Sequence, residues 1–187
     1  MDPDHLLEGM LPVPVDEFQK FDSSIRRILK QVHPDAGLTG ESYSIINKIT
    51  NYIIKSLSID EDITIEQLNN IIDELFTGGI HGLAHHAKNK GSKANDHNLQ
   101  ISIIQVKKAM ELIGITPKSN ESILYISGVC EYIISEIVEL AGNCARDDKK
   151  VIIKPKHILI AIITDDELDE IFYKMIRKLV SQRDWLK

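Results

Sequence analysis

Little in this chain is built for cross-linking or for membrane insertion. Only two cysteines, Cys130 and Cys144, stand in 187 residues. Both lie in an apolar helical context with no zinc-type spacing. They read as reduced core residues, with a disulfide as the minority alternative. No apolar run approaches the roughly 18–20 residues of a membrane span. The start, MDPDHLLEGMLPVPVDEF, lacks the positive charge that opens a secretory signal, so an intracellular chain that is not secreted is expected.

Chemistry-bearing constellations are also scarce. Gly78, Gly79 and Gly82 do not form a phosphate-binding loop. His81, His85 and His86 would put two imidazoles on one helical face, but no third ligand follows at a suitable spacing. No nucleophile is matched to a base and an orienting group. The expectation is therefore no enzyme, no metal, no cofactor and no small-molecule substrate.

What remains is ample material for a core. The chain is 43% hydrophobic and 27% charged, a globular composition large enough for one domain or two small ones. Its formal net charge of −6 argues mildly against nucleic acid as a partner. Charge clustering decides that question, though, and the sum does not.

Residues 1–17 read as a short extended tail interrupted by Pro12 and Pro14. Phe18, Phe21, Ile25, Ile28, Leu29 and Val32 then fall at helical spacing. HPDAG stops that helix, because Pro34 disfavours a helical His33 and Gly37 permits a turn. Thr39 is a plausible N-cap for a longer helix with Ile45, Ile46, Ile49, Tyr52, Ile53 and Leu57 on one face, ended by Asp60-Glu61-Asp62. Thr64 to Gln67 reads as a capping box. The short helix behind it carries Leu68, Ile71, Ile72, Leu75 and Phe76, and LAHHAKNKGSKAN follows as a polar helix fading into a linker.

The order then repeats. A short helix is expected over Leu99–Ile113, carrying Ile103, Ile104, Val106, Met110 and Ile113. After the loop GITPKSN comes the longest helix, Ser122–Ala145. Cys130, Ile133, Ile134, Ile137, Leu140, Ala141 and Cys144 form one face, with Glu131, Glu136 and Glu139 centred opposite. DDKKVII is a loop with strand character. Pro155 opens a helix to Ile163. Thr164 to Glu167 reads as a second capping box, before a helix carrying Leu168, Ile171, Phe172, Met175, Ile176, Leu179 and Val180. A short–long–short unit cannot bury its long helix alone, but two units with crossed long helices can.

The residues carry a family resemblance as well. ILKQVHPDAGL (28–38) resembles the junction of the first two helices in the 2B-type core histone, and LAHHAKNKGSKA (83–94) resembles its C-terminal helix. EYIISEIVELAGNCARDDKK (131–150) resembles the central helix of the 2A-type core histone, and KPKHILIAIITDDELDEIF (154–172) continues it in register. Matches cover roughly residues 20–180, and a fusion in this order resembles the histone doublets of giant DNA viruses of the marseillevirus type. The resemblance implies an all-α chain: two histone folds paired intramolecularly as a handshake. The units would span 18–95 and 99–187, the latter including a C-terminal helix, with a linker at 96–98.

It also implies function. The expected role is structural: packaging double-stranded DNA without sequence preference. Two copies would join a second doublet of the tetramer-forming types in a nucleosome-like particle, in a virion and a viral factory or host nucleus. DNA-facing residues would be Lys20, Arg26, Arg27, Lys30, Lys107 and Lys108 where the two first helices meet. A crossed loop pair would add Lys149, Lys150, Lys154 and Lys156, aided by helix N-termini. The reverse pair would set Lys118 against Asp60, Glu61 and Asp62, giving an uneven grip. An acidic protein-docking patch would comprise Glu131, Glu136, Glu139, Asp165, Asp166 and Glu167. It would be weakened by His81, Gly82 and Lys90 in the first half.

Several features depart from the family pattern. Ile152 replaces a loop arginine, the first long helix is about two turns short, long basic tails are missing, and the C-terminus FYKMIRKLVSQRDWLK reads as an amphipathic helix. The negative charge and the Asp60-Glu61-Asp62 loop favour an alternative, a histone-fold subunit of a regulatory complex acting mainly through protein contacts, whereas ELAGNCARDDKK and the acidic set favour DNA packaging.

Overall fold

The computed structural model describes residues 18–75 and 99–181. It consists of helices joined by two very short strands: α1 Asp22–Val32, β1 Gly37–Leu38, α2 Gly40–Leu57, α3 Ile65–Leu75, α4 Ile103–Leu112, α5 Asn120–Asp147, β2 Ile152–Ile153, α6 Pro155–Thr164 and α7 Asp166–Ser181. The expected all-α pair of short–long–short units is what forms. Among the described residues no helix is long and apolar enough to cross a membrane.

The long helix α5 organises everything else. It has 28 residues and packs against α1, α2, α3, α4 and α6. Enclosed in this way, it buries more than one stripe. Ile126, Val129, Cys130, Ile133, Ile134, Ile137, Val138 and Ala141 are all buried. A helix covered on several sides carries apolar residues around most of its circumference. The shorter α2, at 18 residues, buries Ile45, Ile46, Ile49, Ile53, Ile54 and Leu57. One continuous core results, drawn from both halves.

The halves are joined twice, by nearly the same device. At one joint Thr39 caps α2 by accepting from Ser42 N, while the Ser42 hydroxyl donates to the Ile153 carbonyl at 2.9 Å. At the other, Ser119 caps α5 by accepting from Ser122 N, and the Ser122 hydroxyl donates to the Ile63 carbonyl at 2.5 Å. Only the first joint becomes a strand pair: β1 and β2 run parallel, with Gly37 opposite Ile152 and Leu38 opposite Ile153. Gly37 N donates to Val151 O at 2.9 Å. Counting from the matched serines, Pro117 stands where Gly37 stands and has no N–H to give. Lys118 N donates to Glu61 O instead, at 3.0 Å.

A second symmetric device fixes the first helix of each unit. Asn51 in α2 accepts from Gln19 N at 3.2 Å and donates to Gln19 O at 2.8 Å. In α5, Glu131 accepts from Gln100 N and Ile101 N. Asn47 adds a bond from Phe21 N at 2.6 Å and donates to Asp22. These anchors hold the chain before each first helix in non-helical form. That is why α1 starts at Asp22 and not near Phe18, and why α4 starts at Ile103 and not at Leu99.

Other expectations need correction. The Thr64–Gln67 capping box forms, with both reciprocal bonds. The one expected at Thr164 does not. Thr164 ends α6, its hydroxyl donating back to Ile160 O at 2.7 Å, and Asp165 caps α7 by accepting from Leu168 N at 2.9 Å. The turn between the two helices falls at Asp165, so its carboxylate and not the Thr164 hydroxyl meets the first free N–H groups of α7. Helix α5 runs through Arg146 to Asp147, past its expected end at Ala145. Cys130 is buried, but Cys144 is only half-buried because Ala145 takes the inward position. Ile104 lies 60% exposed. The tail 1–17, the segment 76–98 with its three histidines, Lys90 and the proposed linker, and the side chains beyond Tyr173 lie outside the described residues.

The serine joints yield a direct expectation. Ser122→Ala should cost about 1–3 kcal/mol, the penalty for stranding the buried Ile63 carbonyl, and Ser42→Ala about 0.5–1.5 kcal/mol, because Ile153 O keeps its bond from Thr39 N. Urea titration followed by circular dichroism should show that loss within a single transition. Two transitions would mean that the halves fold separately.

Candidate nucleic-acid and protein-docking surfaces

At the β1–β2 joint α5 ends abruptly. Lys150 N donates to Ala145 O and Lys149 N to Arg146 O, both at 2.8 Å. This crossed pair requires a left-handed residue between them, and Lys149 supplies it with φ 57°. Helix α4 ends with the same two bonds, from Ile115 N to Met110 O and from Gly114 N to Glu111 O, but its left-handed residue is Gly114 at φ 84°. Glycine is the low-energy occupant of this position, and a residue with a Cβ is strained there by about 1 kcal/mol. A lysine stands where glycine would be more stable.

Lys149, Lys150 and Lys154 are exposed, and none forms an ion pair among the described residues. Lys156 differs, because it is bound to Asp148. Asp148 also accepts from the buried His157, whose Nε2 lies 3.2 Å away. His157 Nδ1 accepts from Lys154 N at 3.0 Å, so the proton belongs on Nε2. These partners hold the Asp148 carboxyl below its ordinary value, the Lys156 hydrogen bond most of all. Of the four lysines expected at this joint, three are free to meet an anion.

The N-terminus of α2 at the same joint already has an acidic occupant. Glu41 is stabilised as an anion by its own backbone N–H and by the Thr39 hydroxyl, which lowers its pKa. The sequence reading missed it, although an acidic residue two places after a threonine cap is a recognisable signal.

The opposite joint is acidic and closed. Lys118 Nζ lies 2.8 Å from Asp62 and 3.4 Å from Glu61. Its pKa is raised, chiefly by the Asp62 hydrogen bond. Asp60 accepts from Asp62 N at 3.2 Å. The expected opposition of Lys118 to these acids is present, and it leaves the lysine engaged.

The first helices meet through Ser24, whose hydroxyl donates to Gln105 at 3.0 Å, and through Gln105, which donates to Lys20 O at 2.9 Å. Lys20, Arg26, Lys107 and Lys108 are exposed there. Two of the expected cations are committed elsewhere. Arg27 donates to Gln100 O at 2.6 Å and Gln100 Oε1 at 3.1 Å. Lys30 donates to Ala36 O at 3.1 Å and to Pro34 O, closing the end of α1.

The acidic set divides too. Glu131, expected on the outward face, is 3% exposed and anchors the segment before α4. That extended segment covers it, which a helical wheel of α5 alone cannot reveal. Glu136, Glu139, Asp165 and Glu167 do cluster. Burial raises the Glu136 pKa first, and the charges of Glu139, Asp165 and Glu167 raise it further. The same acids, after burial, raise that of Tyr132, with Glu136 in place of Glu139. Asp166 is exposed at the start of α7. The first half's contribution, at 81–90, lies outside the described residues.

Residues 87–163 match the family described as the core histone domain, the one shared by the 2A, 2B, 3 and 4 types. Over that stretch the chain has a histone-fold domain. It is 29% identical over 176 residues to the histone doublet of Melbournevirus, which is named for a 2B and a 2A histone in that order. That alignment covers 82% of this chain and 65% of the viral protein. It is 49% identical over 51 residues to a macro-type 2A histone of Capsaspora owczarzaki, covering 27% of this chain and 14% of that one. It is also 52% identical over 48 residues to a 2A histone of Saccharomyces cerevisiae, covering 26% and 36%. The chain thus spans less than two thirds of each of these relatives. The high identities are confined to short stretches, whereas the doublet alignment covers most of this chain.

Two substitutions separate structure from function. Glu136→Gln should raise the melting temperature at neutral pH. A carboxyl whose folded pKa is raised disfavours folding once ionised, and its penalty disappears as pH falls through the folded pKa. The gain should therefore vanish in acid, as read by thermal melts across about pH 3–8, a range that brackets ordinary carboxylate values. Glu131→Ala should instead destabilise by about 1.5–3 kcal/mol at neutral pH, through loss of charge-assisted bonds.

Proposed function

We propose that the chain is a structural DNA-packaging protein, a fused pair of histone folds of the viral doublet kind, with units at 18–95 and 99–187. It binds duplex DNA by its phosphates, without base readout. The observation that carries this reading is the basic joint, where three lysines have no ion pair among the described residues and one of them occupies a strained, left-handed position. A strained residue held by its surroundings motivates a functional role.

DNA binding is concentrated on the basic joint and on Lys20, Arg26, Lys107 and Lys108. Lys118, Arg27, Lys30 and Lys156 contribute little, because their charges are already matched or their donors already used. The grip is uneven, strong at one end of the pair and weak at the other. Glu136, Glu139, Asp165, Asp166 and Glu167 form a docking surface for basic protein segments. That surface retains a carboxylate whose ionisation costs stability, which supports a role outside folding. Two such chains join a second, tetramer-forming doublet in a nucleosome-like particle, in the virion and in the factory or nucleus where its DNA is handled.

A second reading, a histone-fold subunit of a regulatory complex, is favoured by the closed acidic joint. Nuclease digestion of DNA reconstituted with this chain and tetramer-type histones separates the two. A protected fragment of fixed length is expected. Uniform digestion alongside a stable protein complex would favour the second reading.

Lys149→Gly gives a sharper expectation. It should raise stability by about 0.5–1 kcal/mol, by removing the left-handed strain. It should also lower the salt dependence of DNA binding by about one phosphate contact, roughly 0.9 in slope. Lys118→Ala should leave that slope unchanged.

A further inference from the structure

One acid stands inside the basic joint. Asp148 is the residue that ends α5, directly before Lys149, and its carboxylate holds the Lys156 ammonium. The same oxygen accepts from His157 Nε2 at 3.2 Å. His157 in turn accepts from Lys154 N at 3.0 Å, so Asp148 is tied by bonds to the stretch that carries Lys154 and Lys156. Its two partners differ in kind. His157 is fully buried and fixes the carboxylate in place. Lys156 and Asp148 are 52% and 44% exposed, and an ion pair so open to water adds little to stability. His157 needs only a hydrogen-bond acceptor here, which an uncharged amide also provides. A carboxylate at the end of α5 also faces the negative end of that helix dipole. The fold therefore does not call for the charge. Asp148 nevertheless stays ionised at neutral pH, its carboxyl held below the ordinary value by the Lys156 hydrogen bond first of all.

We infer that Asp148 is a built-in counter-ion that sets the strength of the DNA grip, occupying Lys156 where a backbone phosphate would otherwise do so. This role rests on the DNA-binding reading above and adds to it a residue that opposes binding. The start of a helix favours an anion. Lys156 and His157 both belong to the first turn of α6, so the carboxylate that touches them is the anion at that start. A phosphate approaching the joint meets three lysines without an ion pair among the described residues and a fourth already neutralised. The opposite joint uses the same device, with Asp62 and Glu61 holding Lys118. Each joint thus supplies its own substitute for a phosphate, and only at the basic one do lysines remain over. The result is a contact that releases DNA more readily than four free lysines would.

The test measures duplex binding by the full chain as a function of salt, for the wild type, Asp148→Asn, Lys156→Ala and the two changes together. Asparagine keeps an acceptor for His157 Nε2 and removes the charge. Asp148→Asn should tighten binding and steepen the salt slope by about 0.9, one added phosphate contact. Its advantage over the wild type should shrink roughly 3.5-fold between about 50 and 200 mM salt. Lys156→Ala should leave the wild-type slope unchanged, yet remove the whole added slope in the Asp148→Asn background. A merely structural role for Asp148 would not make one substitution depend on the other in this way. Circular dichroism and melting temperature confirm folding, and Lys156→Ala alone tests the role even where the asparagine variant is destabilised.

A wild-type slope lowered by Lys156→Ala would mean that Asp148 does not keep the lysine from DNA. An unchanged slope in Asp148→Asn, or an added slope that survives Lys156→Ala, would mean that Lys156 is not the cation released. Each of these results overturns the counter-ion and leaves the DNA reading standing. If the wild type has no salt-dependent binding at all, both fail.

Discussion

Helix α5 cannot exist by itself in water. Its 28 residues bury side chains around most of the circumference, including a fully buried cysteine. Exposing such a surface would cost about 25 cal/mol for each Å² of apolar area. The rest of the structure follows from covering it. No single neighbour can do so, and α1, α2 and α3 of the first half are recruited along with α4 and α6 of the second. The two halves therefore share one core.

Shared burial would tolerate many crossing geometries, so polar groups must select one. The serine hydroxyls of Ser42 and Ser122 do this at the two ends, each reaching a carbonyl of the opposite half. Asn51 and Glu131 repeat the logic at the starts of α1 and α4. Their equivalence explains why a glutamate is tolerated at 3% exposure: it receives two backbone N–H groups in the place where an asparagine serves the other half. The symmetry is then broken by small changes. Pro117 removes an N–H that Gly37 provides. Asp62 and Glu61 occupy the lysine of one joint, while Lys149, Lys150 and Lys154 have no ion pair among the described residues at the other. A pseudo-symmetric fold thus acquires two electrically different ends.

Much of this could be read from the sequence. The apolar periodicities located α2, α3, α5 and α6 closely, and the serial repeat of short and long helices implied their crossing. The two crossed loop pairs, one carrying Lys149, Lys150, Lys154 and Lys156 and the other setting Lys118 against Asp60–Asp62, came from the family resemblance. What the sequence concealed depends on the neighbours of each residue. Glu131 belongs to the outward face of α5 until the segment before α4 folds over it. Arg27 and Lys30 look free until the backbone carbonyls of Gln100 and Ala36 come within reach. Asp165 and Thr164 are both good caps, and only the position of the turn decides between them. Lys149 carries no mark of its left-handed backbone in the sequence.

The central claim is that DNA lies along the β1–β2 joint and avoids the Glu61–Lys118 joint. Tethering a DNA-cleaving iron chelate through single engineered cysteines, at Lys150 in one protein and at Asp62 in another, tests it most directly, with Cys144→Ser as background. Strong cleavage of bound duplex from position 150 and background cleavage from position 62 is the predicted result. Equal cleavage from both positions, or stronger cleavage from 62, would contradict the account.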